Sequence, residues 1–277
     1  MRITAVSQVR CSRIPSILAG ILAMGLSLLP VASHAQDISV AAASSLRFAM
    51  PELIQRFESQ QGVEVRTTYG ASGNFQRQIE QGAPFEVFLS ADEERARALE
   101  DKGLTEGEGR TYALGRLVWL QRAGQPLPPA DTPLEAVHQA VERYEADGTK
   151  ARIALANPLH APYGVAAQQA LEHAGLWQRS RPLQVVGENV AQAVQFSLSA
   201  EAAGGLVAYS LVVASPEQDK QGYRLIPSDW HSPLVQRMVL LQGASEDAHA
   251  FYEFMSSPEA AELLSRYGFS TPNPPEE

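Results

Sequence analysis

Apolar residues recur along the chain first with the two-residue period of strands and then with the period of helices. The first predicted strand covers 38–43, and the helix after it places four apolar residues on one face: Leu46, Ala49, Leu53 and Phe57. Further strands are predicted at 63–69 and 85–89, and further helices at 75–81 and 90–102. This alternation is typical of an α/β domain, in which helices cover both faces of a mostly parallel sheet.

The same alternation returns after a proline-rich stretch at 125–133, which follows a predicted strand at 114–122. The second set of predicted helices and strands lies at 134–144, 152–156, 162–174, 183–186, 190–199 and 205–207. Two more strands and two terminal helices are predicted at 223–226, 236–241, 246–255 and 258–267. We expect two similar lobes, with 36–115 and 232–277 in lobe 1 and 116–231 in lobe 2.

Residues 1–35 have the pattern of a secretory signal peptide. Three arginines precede an apolar run at 14–31, and the small-residue sequence Ala-Ser-His-Ala ends at Ala35. A retained membrane anchor is the alternative, because the apolar run is about long enough to span a bilayer. Removal of the segment also removes Cys11, the only cysteine, so the exported chain has no disulfide. We expect the tail at 271–277 to be disordered.

Without residues 1–35 the chain is acidic. It carries 19 Lys and Arg side chains against 31 Asp and Glu side chains, a net charge of −12. Nucleic acids and anionic membrane surfaces are bound mainly through basic patches, so this composition disfavours both as partners. An anionic ligand would have to be held by local hydrogen-bond donors rather than by the field of the whole protein.

The first strand ends in two hydroxyl residues, Ser44 and Ser45, at the start of the predicted helix. A strand-to-helix junction at the carboxyl edge of a sheet places hydroxyls beside free backbone N–H groups, which is a favourable place for an anion. An isolated serine in this position more often caps the helix. Pro51 cannot donate a backbone hydrogen bond, so we expect a short first turn that bends into the main helix.

Three more junctions repeat this arrangement. Ser72 follows the second strand beside Gly73, which lets a ligand approach the backbone closely. Tyr163 and Val190 stand at two corresponding junctions of the second block, although either residue alone would be interpreted as part of the core. Four such loops at the carboxyl edges of two sheets predict a cage of hydrogen-bond donors.

Other chemistries have weaker support. The five histidines beyond residue 35 show no metal-binding spacing, and neither a dinucleotide fingerprint nor a nucleophile elbow occurs. His160 lies in the third loop, where a histidine with satisfied hydrogen bonds is the commoner interpretation. Glu93 fits a capping box with Ser90 and an ion pair with Arg97 better than a catalytic carboxylate. A secreted hydrolase using one of the loop serines is a remaining alternative, but no general base is evident for it.

Five stretches of the chain resemble the molybdate-binding periplasmic proteins of ABC transporters. In chain order they are AAASSLRFAM, ASGNFQRQIEQGAPFEVFLSAD, NPLHAPYGVAAQQAL, GENVAQAVQ and FYEFMSSPEAAELLSRYGF. The resemblance implies a two-lobed periplasmic binding fold of type II, with the ligand in the cleft between the lobes. It also implies the residues that hold the oxyanion, which are Ser45 with Ser44 beside it, Ser72, Tyr163 and the backbone N–H of Val190.

One branch of that family uses a further tyrosine after the penultimate strand of the second lobe. Ungapped spacing puts Ala208 at this position and Tyr209 one residue later. A shift of one residue turns a strand side chain to the other face, so we expect Tyr163 to supply the phenol instead.

The function implied is capture of molybdate or tungstate in the periplasm and delivery to a membrane permease. We expect a monomer without enzymatic activity, cofactor or bound metal cation. A cage of donors favours fully ionised oxyanions and disfavours hydrogen phosphate, whose proton needs an acceptor. A binding protein for sulfate or another tetrahedral oxyanion is the alternative within the same class.

Overall fold

Two β-sheets flanked by helices organise the chain in a computed structural model that describes residues 37–216 and 218–270. The predicted signal peptide and the predicted disordered tail lie outside these residues. Within them, no helix has the length and apolar character needed to cross a membrane.

The strands of the described residues are numbered in chain order. Their bounds are β1 Ile38–Ala43, β2 Val65–Gly70, β3 Val87–Ser90, β4 Arg110–Gly115, β5 Leu117–Arg122, β6 Arg152–Ala156, β7 Gln184–Gly187, β8 Ala202–Ala208, β9 Gln221–Leu225 and β10 Leu234–Leu240. The α-helices are α1 Met50–Gln61, α2 Ser72–Glu80, α3 Glu93–Asp101, α4 Glu135–Asp147, α5 Pro162–His173, α6 Trp177–Ser180, α7 Val190–Ser197, α8 Tyr209–Val213, α9 Glu246–Met255 and α10 Pro258–Arg266.

The first sheet has the order β2-β1-β3-β10-β4. Its first three strands are parallel, and β10 pairs antiparallel with both β3 and β4. Because β10 comes from the end of the chain, the polypeptide returns to the sheet that contains its first strands. The register of β10 shifts between Gln236 and Arg237, so the strand carries a bulge there.

The second sheet has the order β7-β6-β8-β5-β9, with β7, β6 and β8 parallel and β5 antiparallel to both neighbours. The predicted α/β class is therefore confirmed, with parallel pairing confined to three adjacent strands of each sheet. The carboxyl ends of those strands are the ends that carry the four predicted loops.

The predicted strand at 114–122 is wrong in one respect, because it is two strands in different sheets. β4 ends at Gly115 in the first sheet, and β5 begins at Leu117 in the second. Buried apolar residues stand on both sides of the break, which falls at Gly115 and the exposed Arg116. The predicted pattern also missed the start of β4 at Arg110 and the short helix α8.

Packing of α1 shows how the hydrophobic pattern translates into burial. All four residues of its predicted apolar face are buried, and Phe57 packs edge-on against Phe251 of α9 with ring centroids 5.1 Å apart. Full burial of one such side chain stabilises the fold by about 1.5–3 kcal/mol. A separate cluster around Trp119 forms the core of the second sheet and extends to Ala43, Ala71 and Ala91 at the edge of the first.

Candidate functional site

A small cavity of about 10 Å³ lies where the carboxyl edges of the two sheets meet. All five predicted ligand residues line it. The full set of lining residues is Ala43, Ser44, Ser45, Gly70, Ala71, Ser72, Ala91, Ala161, Pro162, Tyr163 and Val190. The four predicted loops thus converge on one place, although they are spread over about half of the chain.

The first loop follows β1 and is a short 3₁₀ turn at Ser44–Leu46. The α-helix begins only at Met50, with Pro51 in its first turn, as the proline predicted. The hydroxyl of Ser45 is buried without a hydrogen-bond partner, and the Ser45 carbonyl accepts a 2.8 Å hydrogen bond from the Ser210 hydroxyl. The loop is therefore bonded to α8 through its backbone, and the Ser45 hydroxyl remains available to a ligand in the cavity.

Ser72 begins α2 three residues earlier than the predicted helix start. Its hydroxyl oxygen accepts the backbone N–H of Ala91 at 2.9 Å. Because that bond uses a lone pair, the single hydroxyl proton of Ser72 remains available to another acceptor. The next residue, Gly73, donates its N–H to the carbonyl of His160 at 2.9 Å, which joins the second and third loops.

Tyr163 lies in the first turn of α5 and is 1 % exposed. Burial raises the pKa of its phenol far above the ordinary value, and the neighbouring Gln236 and Ser45 side chains only partly oppose that effect. The phenol is therefore neutral and keeps its proton at physiological pH. Neither neighbour reaches hydrogen-bond geometry, so the hydroxyl is a buried polar group without a partner.

Val190 is the first residue of α7, after the cap residue Asn189. The Asn189 side chain accepts the N–H groups of Ala191 and Gln192, at 3.0 and 3.1 Å. The N–H of Val190 is one of the helix-start donors that have no carbonyl four residues earlier in the helix. It is the donor of this loop that the cap does not use.

The cavity lining contains no carboxylate, Lys, Arg or His. Arg95 is the cation nearby, since its guanidinium packs beside Gly73 and bonds to Gln76 at 3.3 Å. Asp92 lies 3.6 Å from this guanidinium and offsets its charge. Among the described residues, no group of three or more His, Cys, Asp or Glu side chains is arranged to hold a metal ion. The chemistry of the lining is thus that of neutral hydrogen-bond donors.

Three other residues considered from the sequence do not line the cavity. Tyr209 starts α8 and packs instead on Tyr223, with ring centroids 5.4 Å apart, and under the Arg116 guanidinium. His160 directs Nε2 to the backbone carbonyl of Glu188 at 3.1 Å and to its carboxylate at 3.3 Å. The Glu188 carboxylate is mostly exposed and pairs with this histidine rather than facing the lining.

The sequence interpretation missed two residues that contact the site. The N–H of Ala91, just after β3, holds the Ser72 hydroxyl, and Gln236 of β10 lies next to the Tyr163 phenol. A glutamine inside a strand of mostly apolar residues is the signal that could have drawn attention to Gln236, which the structure buries completely.

Comparison with known proteins agrees with this arrangement. The family model for bacterial extracellular solute-binding proteins matches residues 38–270. The molybdate-binding protein ModA of Rhodobacter capsulatus is 36 % identical over 255 residues, which are 90 % of this chain and 93 % of the relative. ModA of Azotobacter vinelandii is 33 % identical over 253 residues, covering 90 % and 96 % of the two chains.

Solved structures give the same result. The periplasmic molybdate-binding protein of Azotobacter vinelandii superimposes with a TM-score of 0.74 at 30 % identity, over 86 % of this chain and all of that one. The sulfate-binding protein SubI of Mycobacterium tuberculosis has a TM-score of 0.67 at 16 % identity, covering 86 % and 88 %, and shares the fold. With a family match across nearly all described residues and relatives above 30 % identity, this chain belongs to the family of bacterial extracellular solute-binding proteins.

Proposed function

We propose that this protein captures molybdate, and also tungstate, in the periplasm and delivers it to the permease of an ABC transporter. The observation that carries the proposal is a buried, uncharged lining shared by Ser45, Ser72, Tyr163 and Val190, each of which has a hydroxyl or backbone N–H group that can donate. A dianion surrounded by neutral donors is stabilised by hydrogen bonds to its oxygens, each contributing about 1.5–3 kcal/mol. The relatives above 30 % identity that carry the name molybdate-binding protein support the choice of anion.

We propose that residues 36–115 and 232–277 form lobe 1 and residues 116–231 lobe 2. Membership of the two sheets supports this division, because the chain passes between them at Gly115–Leu117 and again between Leu225 and Leu234. Each lobe then supplies two of the four loops. The ligand therefore stabilises the closed arrangement of the lobes, and the permease reads that closed state.

Selection among anions follows from the direction of the hydrogen bonds. Molybdate, tungstate and sulfate present four unprotonated oxygens, whereas hydrogen phosphate presents a proton for which the lining offers no carboxylate acceptor. Discrimination between molybdate and sulfate depends on the size of the closed cavity. Sulfate is the second candidate ligand because a sulfate-binding protein shares the fold.

The decisive experiment is calorimetric titration of the protein lacking residues 1–35 with molybdate, tungstate, sulfate and phosphate. We expect saturable binding of molybdate and tungstate with one site per chain, and much weaker binding of sulfate and phosphate. Sulfate binding as tight as molybdate binding would contradict the assignment.

The remaining parts of the proposal have their own measurements. Ester and phosphate substrates should give no product, since no base lines the site beside the serines. Size-exclusion chromatography should show a monomer. Fractionation of cells expressing the full chain should place it in the periplasm with residues 1–35 removed, whereas a membrane-bound full-length form would support the anchor alternative.

A further inference from the structure

Gly115, at the end of β4, sits against the phenol of Tyr163. A β-carbon added at this glycine would lie 2.3 Å from the Tyr163 oxygen and 2.7 Å from Nε2 of Gln236. Contacts below 3.0 Å are not tolerated without displacement of a neighbour. The φ angle of Gly115 lies outside the left-handed region, so space and not backbone conformation requires a glycine here.

Gln236, which also lies beside Gly115, is held in one orientation. Its Nε2 approaches the carbonyl oxygens of Ala91 and Leu234, at 3.4 and 3.5 Å. Its Oε1 lies 3.3 Å from the hydroxyl of Tyr112, whose single proton is shared between this oxygen and the Ser90 carbonyl at 3.0 Å. Carbonyl oxygens only accept hydrogen bonds, so the end of the amide beside them and beside Tyr163 is the N–H end.

An N–H group beside the phenol oxygen favours one direction for the phenol proton. The Gln236 side chain acts to lower the pKa of the phenol, which is the effect of an N–H group beside the phenol oxygen, and the phenol proton then points away from Nε2. The phenol lines the cavity, as does the unpartnered hydroxyl of Ser45. The cavity is therefore where the Tyr163 proton finds an acceptor.

We infer that Gly115 and Gln236 are positioning residues that seat the Tyr163 hydroxyl as a hydrogen-bond donor to the bound anion and so exclude anions that are protonated at that oxygen. The inference rests on the proposed oxyanion function and adds two residues of lobe 1 that act through a residue of lobe 2. Neither of the two lies in a predicted ligand loop. Without them the phenol could rotate and accept a proton from hydrogen phosphate.

A double-mutant cycle on Gln236 and Tyr163 tests the orientation of the proton. Gln236→Met keeps the volume but removes the donor, and Tyr163→Phe removes the hydroxyl. We expect Gln236→Met to weaken molybdate binding about 5- to 10-fold, yet to change it less than about 2-fold in the Tyr163→Phe background. Hydrogen phosphate, measured as a competitor of molybdate, should become relatively stronger by about 5-fold in Gln236→Met. Independent, additive losses with unchanged anion selectivity would overturn the inference.

A second double-mutant cycle tests the contact between Gly115 and the Tyr163 phenol by measuring the stability of the ligand-free protein. Gly115→Ala should lower the unfolding midpoint and weaken molybdate binding at least about 10-fold, because its methyl group displaces the phenol. Tyr163→Phe removes the nearest of the close atoms, whereas Gln236 Nε2 at 2.7 Å and Tyr163 Cζ at 3.1 Å remain, so it should restore part of the lost stability in the double variant. Gly222→Ala in β9 is the matched control, since the nearest atom there is the flexible end of Leu127.

The outcomes separate the two proposals. If the unsubstituted protein binds no tetrahedral oxyanion, the proposed function is wrong, and the inference about anion selection falls with it. If it binds molybdate but Tyr163→Phe restores none of the stability lost in Gly115→Ala, only the proposed role of Gly115 in placing the phenol is wrong. Molybdate binding by Gly222→Ala should equal that of the unsubstituted protein. A loss as large as in Gly115→Ala would also contradict the proposed role of Gly115.

Discussion

Two hydroxyls of the site, Ser72 and Tyr163, are held in different ways. Ser72, from the first sheet, has its hydroxyl oxygen bonded by the N–H of Ala91, a residue of the same sheet region. Tyr163, from the second sheet, has a hydroxyl without a partner, and the residues beside it come from the first sheet. The serine is thus part of the structure that holds its loop, whereas the phenol is buried at a cost that only a ligand offsets.

This difference separates stability from binding. A hydroxyl that satisfies a backbone N–H contributes to both, so its removal should harm both. A buried hydroxyl with no partner lowers the stability of the ligand-free protein. Its removal should therefore weaken ligand binding without lowering stability. The following predictions test that contrast, from the largest expected effect to the smallest.

Ser72→Ala should have the largest effect on molybdate affinity. It removes a donor to the anion and leaves the N–H of Ala91 without its 2.9 Å partner. We expect a loss of about 3 kcal/mol in binding and about 1–2 kcal/mol in the free energy of unfolding. Calorimetry and urea unfolding measure the two. Ser59→Ala, at an exposed serine that bonds only to the Arg56 carbonyl, is the control and should change neither.

Tyr163→Phe should weaken molybdate binding by about 1–3 kcal/mol, because the phenol donates to the anion. The ligand-free variant should be as stable as the unsubstituted protein or more stable by up to about 1 kcal/mol, since the hydroxyl has no partner to lose. Tyr209→Phe, at the start of α8 and outside the lining, should leave binding unchanged. The reverse order of the two tyrosines would contradict the assignment.

Val190→Pro should remove the backbone donor of the fourth loop while keeping the helix. The first position of a helix tolerates proline, and the extended backbone of Asn189 (φ −149°, ψ 173°) suits a residue before proline. We expect a loss of about 1.5 kcal/mol in molybdate binding. Val190→Ala retains the N–H and should bind molybdate nearly as well as the unsubstituted protein. Equal losses in both variants would argue for packing rather than donation.

The acid stability of the two halves should also differ. Burial acts to raise the pKa of Glu100, but hydrogen bonds from Arg237 and from the Gly109 N–H hold it below its ordinary value of 4.5. A lowered carboxylate pKa contributes stability above pH 4.5, and that stability is lost as the pH falls through the folded-state pKa. Glu100→Gln should therefore cost about 1 kcal/mol at pH 7 and flatten the loss of stability below pH 4.5.

The matched control for this ion pair lies on the second half of the molecule. Glu145 pairs with Arg179 at 2.7 Å, and both side chains are well exposed. Solvent screens such a pair, so Glu145→Gln should change the pH profile of the unfolding midpoint much less than Glu100→Gln does. Similar profiles for the two variants would show that burial of the Glu100 pair is unimportant.

Much of the fold followed from local pattern. The alternation of strand and helix predicted the α/β class, and the strand-to-helix junctions predicted which residues stand at the carboxyl edges of the sheets. These features depend on hydrophobic periodicity and on helix caps within a few residues, so they can be predicted from local sequence. Residues 114–122 marked the limit, because apolar residues on both sides of Gly115 and Arg116 do not reveal that Gly115 and Leu117 belong to different sheets.

The sequence by itself determined the serines, the loops and their order along the chain. The sequence also favoured Tyr163 over Tyr209, but only the tertiary structure decided which residues stand beside the Tyr163 phenol. β10 inserts between β3 and β4, and only that insertion brings Gln236 and Gly115 to Tyr163, a residue of the other sheet. Contacts between residues so far apart along the chain depend on sheet order and strand register, and local hydrophobic periodicity specifies neither.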